Sequence, residues 1–338
     1  LNTSEDIVIL AVESSCDDTA AAVIKNGKIL ANVVAGQDVH KNYGGVVPEL
    51  ASRSHQENIV PVVNSALENA GIDRNELDAV ACTQGPGLLG SLLVGISFTK
   101  AFSLALDVPL IGINHLQAHV SAHYIDAPRP SFPYLCLLVS GGHTRILKVT
   151  SETEMTTIGE TLDDAAGEAF DKSAKLLGLD YPGGPLIDKF AKNGDPNKYT
   201  FSTSGVKEFN YSFSGLKTSI LYFLRDEIKK DENFIQENMN DLCASIQKTI
   251  VDYLISKLIK AAEANKISEI ALAGGVSANS ELRERLQQEG RARDWNTYIP
   301  KFEYCTDNAA MIAMSAHHKY LAKEFSGQDM KPYAREEV

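Results

Sequence analysis

The stretch NHLQAHVSAH, residues 114–123, sets His115 and His119 four apart, with His123 four further on. On a helix these spacings bring the side chains to one face, and helices present imidazoles to metal ions in this way. In the protease pattern H-E-x-x-H a glutamate follows the first histidine and activates water; here that position is Leu116. His123 would lie about 12 Å along the axis from His115 at the usual helical rise, too far to share an ion. A third ligand must come from elsewhere. Asp307 in CTDNAAMIAM (305–314) is the candidate carboxylate, although Thr306 or Asp307 could equally cap the helix that starts there. Two histidines and an aspartate with open positions suit zinc or non-haem iron.

Three other stretches have the composition of ligand-binding turns. LVSGGHT (138–144) is an apolar run ending in Ser140-Gly141-Gly142, and glycine lets backbone amides approach a phosphate or carboxylate closely. LAGGVSAN (272–279) is a second strand–Gly-Gly–helix junction, where Asn279 and the helix start could hold a nucleotide. GPGLLGS (85–91) has the glycine spacing of a phosphate loop, but Ser91 stands where lysine belongs, which excludes a Walker A loop. ESSCDDT (13–19) gathers Glu13, Asp17 and Asp18. Glu13 or Asp17 is the candidate base, against the plainer reading of an Asx-type turn closed with Thr19.

The elements that must position these residues follow from local pattern. IVILAVESS is a β-branched apolar run, and Asn26-Gly27 between two further apolar runs predicts a hairpin. A helix is expected over about 49–70, kinked or split by Pro61. Strands are expected at 77–83 and 108–113, with a long apolar helix between them. The opening pattern then recurs: a strand at 134–140, a turn, two strands, a helix over 163–177, and later a strand at 268–274 and a helix from about 278. Two similar α/β halves are expected, with a cleft lined by the turns that follow their first strands. Residues 178–265 are less regular and read as an insertion followed by helices.

The bulk numbers agree. The 338 residues exceed one ordinary core, and 44% hydrophobic with 22% charged is a globular composition. No run of about 18 apolar residues is expected to span a membrane, and the N-terminus lacks the basic start of a secretory signal. Five widely spaced cysteines with no C-x-x-C predict a reduced, cytoplasmic chain. The net charge of −12 makes a general nucleic-acid binder a poor expectation without a local basic patch or a partner. RERLQQEGRARDW (283–295) and the lysine–aromatic stretch 198–217 are the candidate patches.

Taken together and in order, ESSCDDT, GGVVPELASRSH, QGPGLLGSLLVG, NHLQAH, LVSGGHT, GEAFDKSAKLLGL, YPGGP, SFSGLKT, AGGVSAN and CTDNAAMIA resemble one family. It is the TsaD family, bacterial form, which with its archaeal and eukaryotic homologues makes threonylcarbamoyladenosine in tRNA. Asp18 departs from the family's more usual Glu. The resemblance implies an α/β protein built of two RNase H-like halves of the actin/Hsp70/sugar-kinase fold. The N-terminal half would span 1–130 and be completed by a C-terminal helix at about 308–338; the other would span 131–307, with a family-specific insertion around 178–240. It implies one divalent metal ion, Fe2+ first and Zn2+ second, on His115, His119 and Asp307. It also implies a nucleotide held by Leu138, Val139, Ser140, Gly141, Gly142, Asp171, Gly184, Asp188 and Asn279. The implied reaction moves the threonylcarbamoyl group from threonylcarbamoyl-AMP, made by a separate synthase, to the exocyclic amine of adenosine 37, in tRNAs reading codons that begin with adenine. The implied partners are tRNA, the TsaB paralogue as heterodimer and the TsaE ATPase.

Three other functions fit parts of the pattern. A metallopeptidase is opposed by Leu116 in place of the water-activating glutamate. An ATPase or kinase of the same fold is opposed by the His–His–Asp set, since such enzymes hold magnesium through carboxylates and water. A non-catalytic scaffold is opposed by retention of both the triad and the two glycine turns. Leu116 accords with transfer to an RNA amine, where activated water would destroy the reactive acyl donor.

Overall fold

A computed structural model describes residues 6–36, 40, 43–203 and 205–335. The chain divides into two compact units, one of residues 1–129 with 301–338 and one of residues 130–300. The halves were expected to change over at 130 and 307. Residues 301–307 instead group with the first unit, where Lys301 pairs with Asp126 at 2.8 Å.

The first unit is built on strands β1 (Val8–Glu13), β2 (Thr19–Lys25), β3 (Lys28–Ala35), β4 (Ala79–Gly85) and β5 (Leu110–Asn114), ordered β3-β2-β1-β4-β5. β1, β2 and β3 are antiparallel neighbours, while β4 and β5 run parallel to β1. The β2–β3 turn is the expected hairpin: Asn26 and Gly27 have φ of 51° and 76°, both positive as a type I′ turn requires.

Helix α1 (Pro48–Ala70) packs on β2 and β3. It does not split at Pro61. Proline there removes one donor, but Glu57 four residues before it is exposed, so water can satisfy the freed carbonyl. α2 (Leu89–Leu106) packs on α1 and β4. Contrary to expectation, this 18-residue helix is apolar enough to cross a membrane by length and composition. In this unit it contributes Leu92 and Ile96 to a core with Val8, Leu10, Val12 and Ile59. Its Lys100 donates to the Met330 carbonyl at 2.6 Å. α3 (His115–Ser121) follows β5 directly.

The second unit repeats the scheme. β6 (Tyr134–Val139), β7 (Thr144–Val149), β8 (Met155–Glu160), β9 (Glu269–Ala273) and β10 (Asn296–Tyr298) are ordered β8-β7-β6-β9-β10. That is the same order and the same mixture of antiparallel and parallel pairs as in the first unit. The duplication is that of the actin/Hsp70/sugar-kinase fold. The helices α4 (Ala166–Leu176), α5 (Gly183–Ala191), α6 (Ser214–Ile228), α7 (Phe234–Glu237), α8 (Met239–Asn265) and α9 (Ser280–Arg293) belong to this unit. α8 supplies Ile246, Ile250 and Leu254 to a core shared with Leu135, Leu137 and Phe170. α10 (Ala309–Leu321) returns to the first unit and packs on β1, β2 and α3.

The start of α6 carries a cap from a distant residue. Asp163 accepts from Phe213 N at 2.7 Å and Ser214 N at 3.3 Å, and from Ser212 Oγ at 2.5 Å. Burial pushes its carboxyl up, but the three donors outweigh this and hold it below the usual range. Asp163→Ala should therefore cost about 1 kcal/mol in urea unfolding at neutral pH, the middle of the capping range because the carboxyl faces water. A carboxyl with a lowered folded pKa stabilises fully above about pH 4, and the gain is lost as pH falls through the lowered value. The mutant and wild-type stabilities should converge there; a gap unchanged at low pH would contradict the cap.

Candidate functional site

In the first unit, β1, β4 and β5 run parallel and end together, at Glu13, Gly85 and Asn114. The carboxyl ends of parallel strands are where α/β folds collect ligands. α3 begins at the end of β5 because Asn114 caps it: its Oδ1 accepts from Leu116 N at 2.9 Å and Gln117 N at 3.0 Å. His115 and His119 then face one side, with ring centroids 4.7 Å apart.

Asp307 lies just before α10, which packs on α3. It is not the cap of α10. Asn308 takes that place and accepts from Met311 N at 3.0 Å, which leaves the Asp307 carboxylate to the histidines. Its Oδ1 is 3.3 Å from His115 Nε2 and 3.3 Å from His119 Nε2. The three ligand atoms lie within 4.8 Å of one another. Two ligands about 2.0–2.1 Å from one ion at a tetrahedral angle stand about 3.3 Å apart, so the set fits a first-row metal. His119 is 1% exposed, and neither of its ring nitrogens has a hydrogen-bond partner. A buried polar pair costs free energy unless something satisfies it, and an ion at the triad would satisfy Nε2.

Glu13, a candidate base, has a different place. It is fully buried, and both oxygens are occupied: Oε1 accepts from Ser15 N, and Oε2 accepts from Thr83 Oγ1 and lies 3.2 Å from His115 Nδ1. A carboxylate on Nδ1 turns the lone pair of Nε2 toward the metal position and raises its basicity. Glu13 is thus placed to orient His115, with both oxygens already engaged. With no ion present, burial pushes His115 down, but Asp307 and Glu13 outweigh it and lift the imidazole to about 10. Burial also raises Asp307, and the two histidines more than reverse this to hold it below the carboxylate range. A metal would displace the His115 proton.

Asp17 and Asp18 are half-buried in the turn after β1. The expected Asx-type closure through Thr19 is replaced by a histidine. Thr19 Oγ1 is 2.7 Å from His55 Nδ1, and His55 Nε2 donates to the Cys16 carbonyl at 3.0 Å. His55 is buried on α1, and burial holds it neutral. Its position beside Ala51 and Ile59 on the buried face of α1 was the available signal. Burial, then Asp17, Asp307 and Glu13, push Asp18 up to about 7.

In the second unit, β6 and β9 are parallel neighbours, with Leu138 opposite Ala273, so both Gly-Gly turns leave the same sheet edge. Leu138 and Val139 are buried in β6, and Ser140 N closes its turn on the His143 carbonyl at 2.8 Å. Gly141, Gly142 and Gly275 have open space where a side chain would begin. Gly274 does not: its φ is +86°, and a Cβ would sit 2.5 Å from the Val139 carbonyl oxygen. α4 comes up against the turn through Gly167, which donates to the Ser140 carbonyl at 3.3 Å. Asp171 Oδ1 accepts from Gly183 N at 2.8 Å and Gly184 N at 3.3 Å, fixing the start of α5. Asp188 Oδ1 accepts from Ser280 Oγ at 2.7 Å, and Asn279 caps α9 on Leu282 N while donating to Gln247 at 2.8 Å. The expected nucleotide residues are thus linked in sequence around the ends of β6 and β9. Asp171, Asp188 and Asn279 each spend polar atoms on holding the frame.

In the two candidate RNA patches several of the basic and aromatic side chains are already engaged within the protein. Arg283 donates to the Ser277 and Pro300 carbonyls, Arg285 pairs with Asp252 and Glu289, and Arg293 pairs with Glu289. Two of the four, Arg285 and Arg293, are thus neutralised by acidic side chains. In 198–217, of which residue 204 lies outside the described residues, Lys198 pairs with Asp241, and Phe201, Tyr211 and Phe213 are in the core. Aromatic rings buried in this way cannot stack on bases.

A family model described as TsaD, tRNA N6-adenosine threonylcarbamoyltransferase, matches residues 28–314. A tRNA N6-adenosine threonylcarbamoyltransferase of Phocaeicola vulgatus is 57% identical over 335 residues, covering 98% of this chain and 99% of its own. That of Christiangramia forsetii is 58% identical over 327 residues and covers 96% of each. Among solved structures, full-length HypF in a phosphate- and nucleotide-bound form superposes with a TM-score of 0.63 at 13% identity, over 94% of this chain and 47% of HypF, a likeness of fold alone.

Proposed function

The chain belongs to the tRNA N6-adenosine threonylcarbamoyltransferase family and is a tRNA-modifying transferase, and from that premise we propose that His115, His119 and Asp307 hold one divalent metal ion and that the glycine turns of the second unit hold an adenylate. The metallopeptidase and ATPase or kinase readings are not favoured. The observation that carries the metal is His119, buried with no hydrogen-bond partner beside a carboxylate and a second imidazole. Fe2+ is the favoured ion and Zn2+ the second choice, since two imidazoles and one carboxylate with open positions serve either. When bound it would act as a Lewis acid and template.

The acyl donor we propose is threonylcarbamoyl-AMP, supplied by a separate synthase, and the acceptor is the exocyclic amine of adenosine 37 in tRNAs reading codons that begin with adenine. The amine nitrogen forms a bond to the carbamoyl carbon, the bond from that carbon to the phosphate oxygen breaks, and AMP leaves with the electron pair. The amine's proton goes to the Asp17–Asp18 turn, where Asp18 has the matching affinity and His55 with Thr19 keeps the turn in place. Glu13 holds His115 in the tautomer that leaves Nε2 free. Leu116 puts no acid or base beside the centre to activate water.

In the second unit, Gly141 and Gly142, with open space beside them, offer amides to phosphate in the turn that Ser140 closes, and Gly184 leaves space beside a helix start that Asp171 fixes. AMP should bind by calorimetry. Asn279→Ala should weaken it about tenfold by loosening the α9 start, and Gly184→Phe should abolish it by filling the space. Unchanged affinity in both variants would remove the adenylate from these turns.

A chain of net charge −12, with Arg285 and Arg293 held by acidic neighbours, gains its RNA surface from a partner in this reading. We place the TsaB paralogue on α1 and α2 and the TsaE ATPase in the same assembly, in the cytoplasm where tRNA is modified. The test of the whole reading is a modification assay with TsaB and TsaE omitted in turn, beside gel-shift titration of tRNA at two salt concentrations. Full multiple turnover and salt-insensitive tRNA binding by the chain alone would refute the need for partners.

A further inference from the structure

Residues 326–333 run past β5 to the end of β4, beside the point where the histidine helix begins. Ser326 N donates to the Leu110 carbonyl at 2.8 Å, and Gly112 N donates to Ser326 Oγ at 2.9 Å. Gln84 Nε2 donates to the Lys331 carbonyl at 2.9 Å, and Tyr333 N to the Gln84 carbonyl at 3.3 Å. Two glycines make room for the passage. A Cβ on Gly112 would lie 2.4 Å from Met330 Sδ, and one on Gly85 would lie 2.3 Å from the Tyr333 carbonyl oxygen and 2.8 Å from its ring. Gly85 also has φ of +155°, within the range that favours glycine.

At the end of this strap the Tyr333 hydroxyl accepts from Asn114 Nδ2 at 3.0 Å. Asn114 is the residue on which α3 depends. α3 has seven residues, too few to hold as a helix unaided, and two amides of its first turn are tied to Asn114 Oδ1. An asparagine amide is fixed only when both ends are held, and Tyr333 holds the end that the helix does not. We propose that Tyr333 is a positioning residue that sets the histidine helix through Asn114, so that His115 and His119 meet Asp307 in register. Elsewhere the strap is anchored on β5, α2 and Gln84. As a statement about metal affinity, the inference rests on the metal reading given above.

The experiment has one arm that needs no metal. In the metal-free full chain, Tyr333→Phe keeps the ring and removes only the hydroxyl. Hydrogen exchange at the Leu116 and Gln117 amides should quicken about fivefold, with β6–β9 unchanged. In the second arm, Co2+ serves as probe: its affinity should fall about tenfold, as for other partners that orient ligands, with a shifted visible spectrum. Asn114→Ser retains a capping oxygen but loses the amide that meets Tyr333. Tyr333→Phe added to it should therefore do no further harm in either arm. Unchanged exchange in the single variant, or additive effects in the double, would overturn the inference. Failure of the wild-type chain to take Co2+, with exchange behaving as expected, would refute the metal reading and leave the hold on α3 standing.

Discussion

His119→Ala should empty the centre: purified wild-type chain should carry about one transition-metal ion and the variant none, and transfer to tRNA should fall by two orders of magnitude or more. The argument is one of substitution cost. His119 is 1% exposed, and beyond the Asp307 carboxylate 3.3 Å from Nε2 neither ring nitrogen has a hydrogen-bond partner, so its imidazole serves the centre and little else. Replacing it by alanine removes the unsatisfied nitrogens and should leave folding intact or slightly improved, while one of three protein ligands is lost. His115→Ala should empty the site as well but also destabilise the chain, because Glu13 would stay buried with no imidazole facing it. The contrast in stability separates a ligand from a structural histidine. Elemental analysis and urea unfolding of both variants check it; full metal content in the double variant would end the assignment. Chelation of the wild-type protein should reproduce the loss of transfer, and added Fe2+ or Zn2+ should restore it.

How much of this could be read beforehand depended on whether the signal was local. The four-residue histidine spacing and the Asn26-Gly27 hairpin are written in adjacent residues, and both appear as the pattern predicts. The duplicated sheet order also follows from pattern, because both halves repeat one succession of strand types. What escaped reading depended on pairings across the chain. Glu13 looked like a free carboxylate because nothing near it in sequence shows Thr83 or His115 closing on it, 70 and 102 residues away. Asp307 looked like a possible cap because Asn308 competes for the same place one residue later, and only backbone geometry chooses between them. The run 283–295 is less basic than its arginines suggest, because Glu289 within it is the i, i+4 neighbour of both Arg285 and Arg293 and pairs with each. Asp18 gains its proton affinity from burial and from three other carboxylates, which no window of sequence displays.

The outer face of α2 should be where the partner binds, and charging it should break the assembly without disturbing the chain. α2 is the most membrane-like helix among the described residues, yet only 33% of it is buried. Leu89, Leu93 and Leu104 are 49%, 46% and 66% exposed, and Val60 on the adjoining α1 is 51% exposed. Scattered apolar side chains on a surface need no explanation, but an apolar face on two packed helices marks an interaction site. Burying a leucine fully is worth about 1.5–3 kcal/mol, and an aspartate in its place must be desolvated without a partner. Leu93→Asp with Leu104→Asp should therefore weaken binding of TsaB by about 4 kcal/mol or more, roughly a thousandfold. Because both side chains already face water, unfolding by urea should change by less than about 0.5 kcal/mol. tRNA modification with all partners present should drop to the level seen when TsaB is left out, while metal content stays at one ion per chain. Sedimentation or calorimetric titration of the double variant against TsaB reads the result directly. An unchanged complex would move the docking site off α2, and a lost complex with modification intact would separate TsaB from the transfer step.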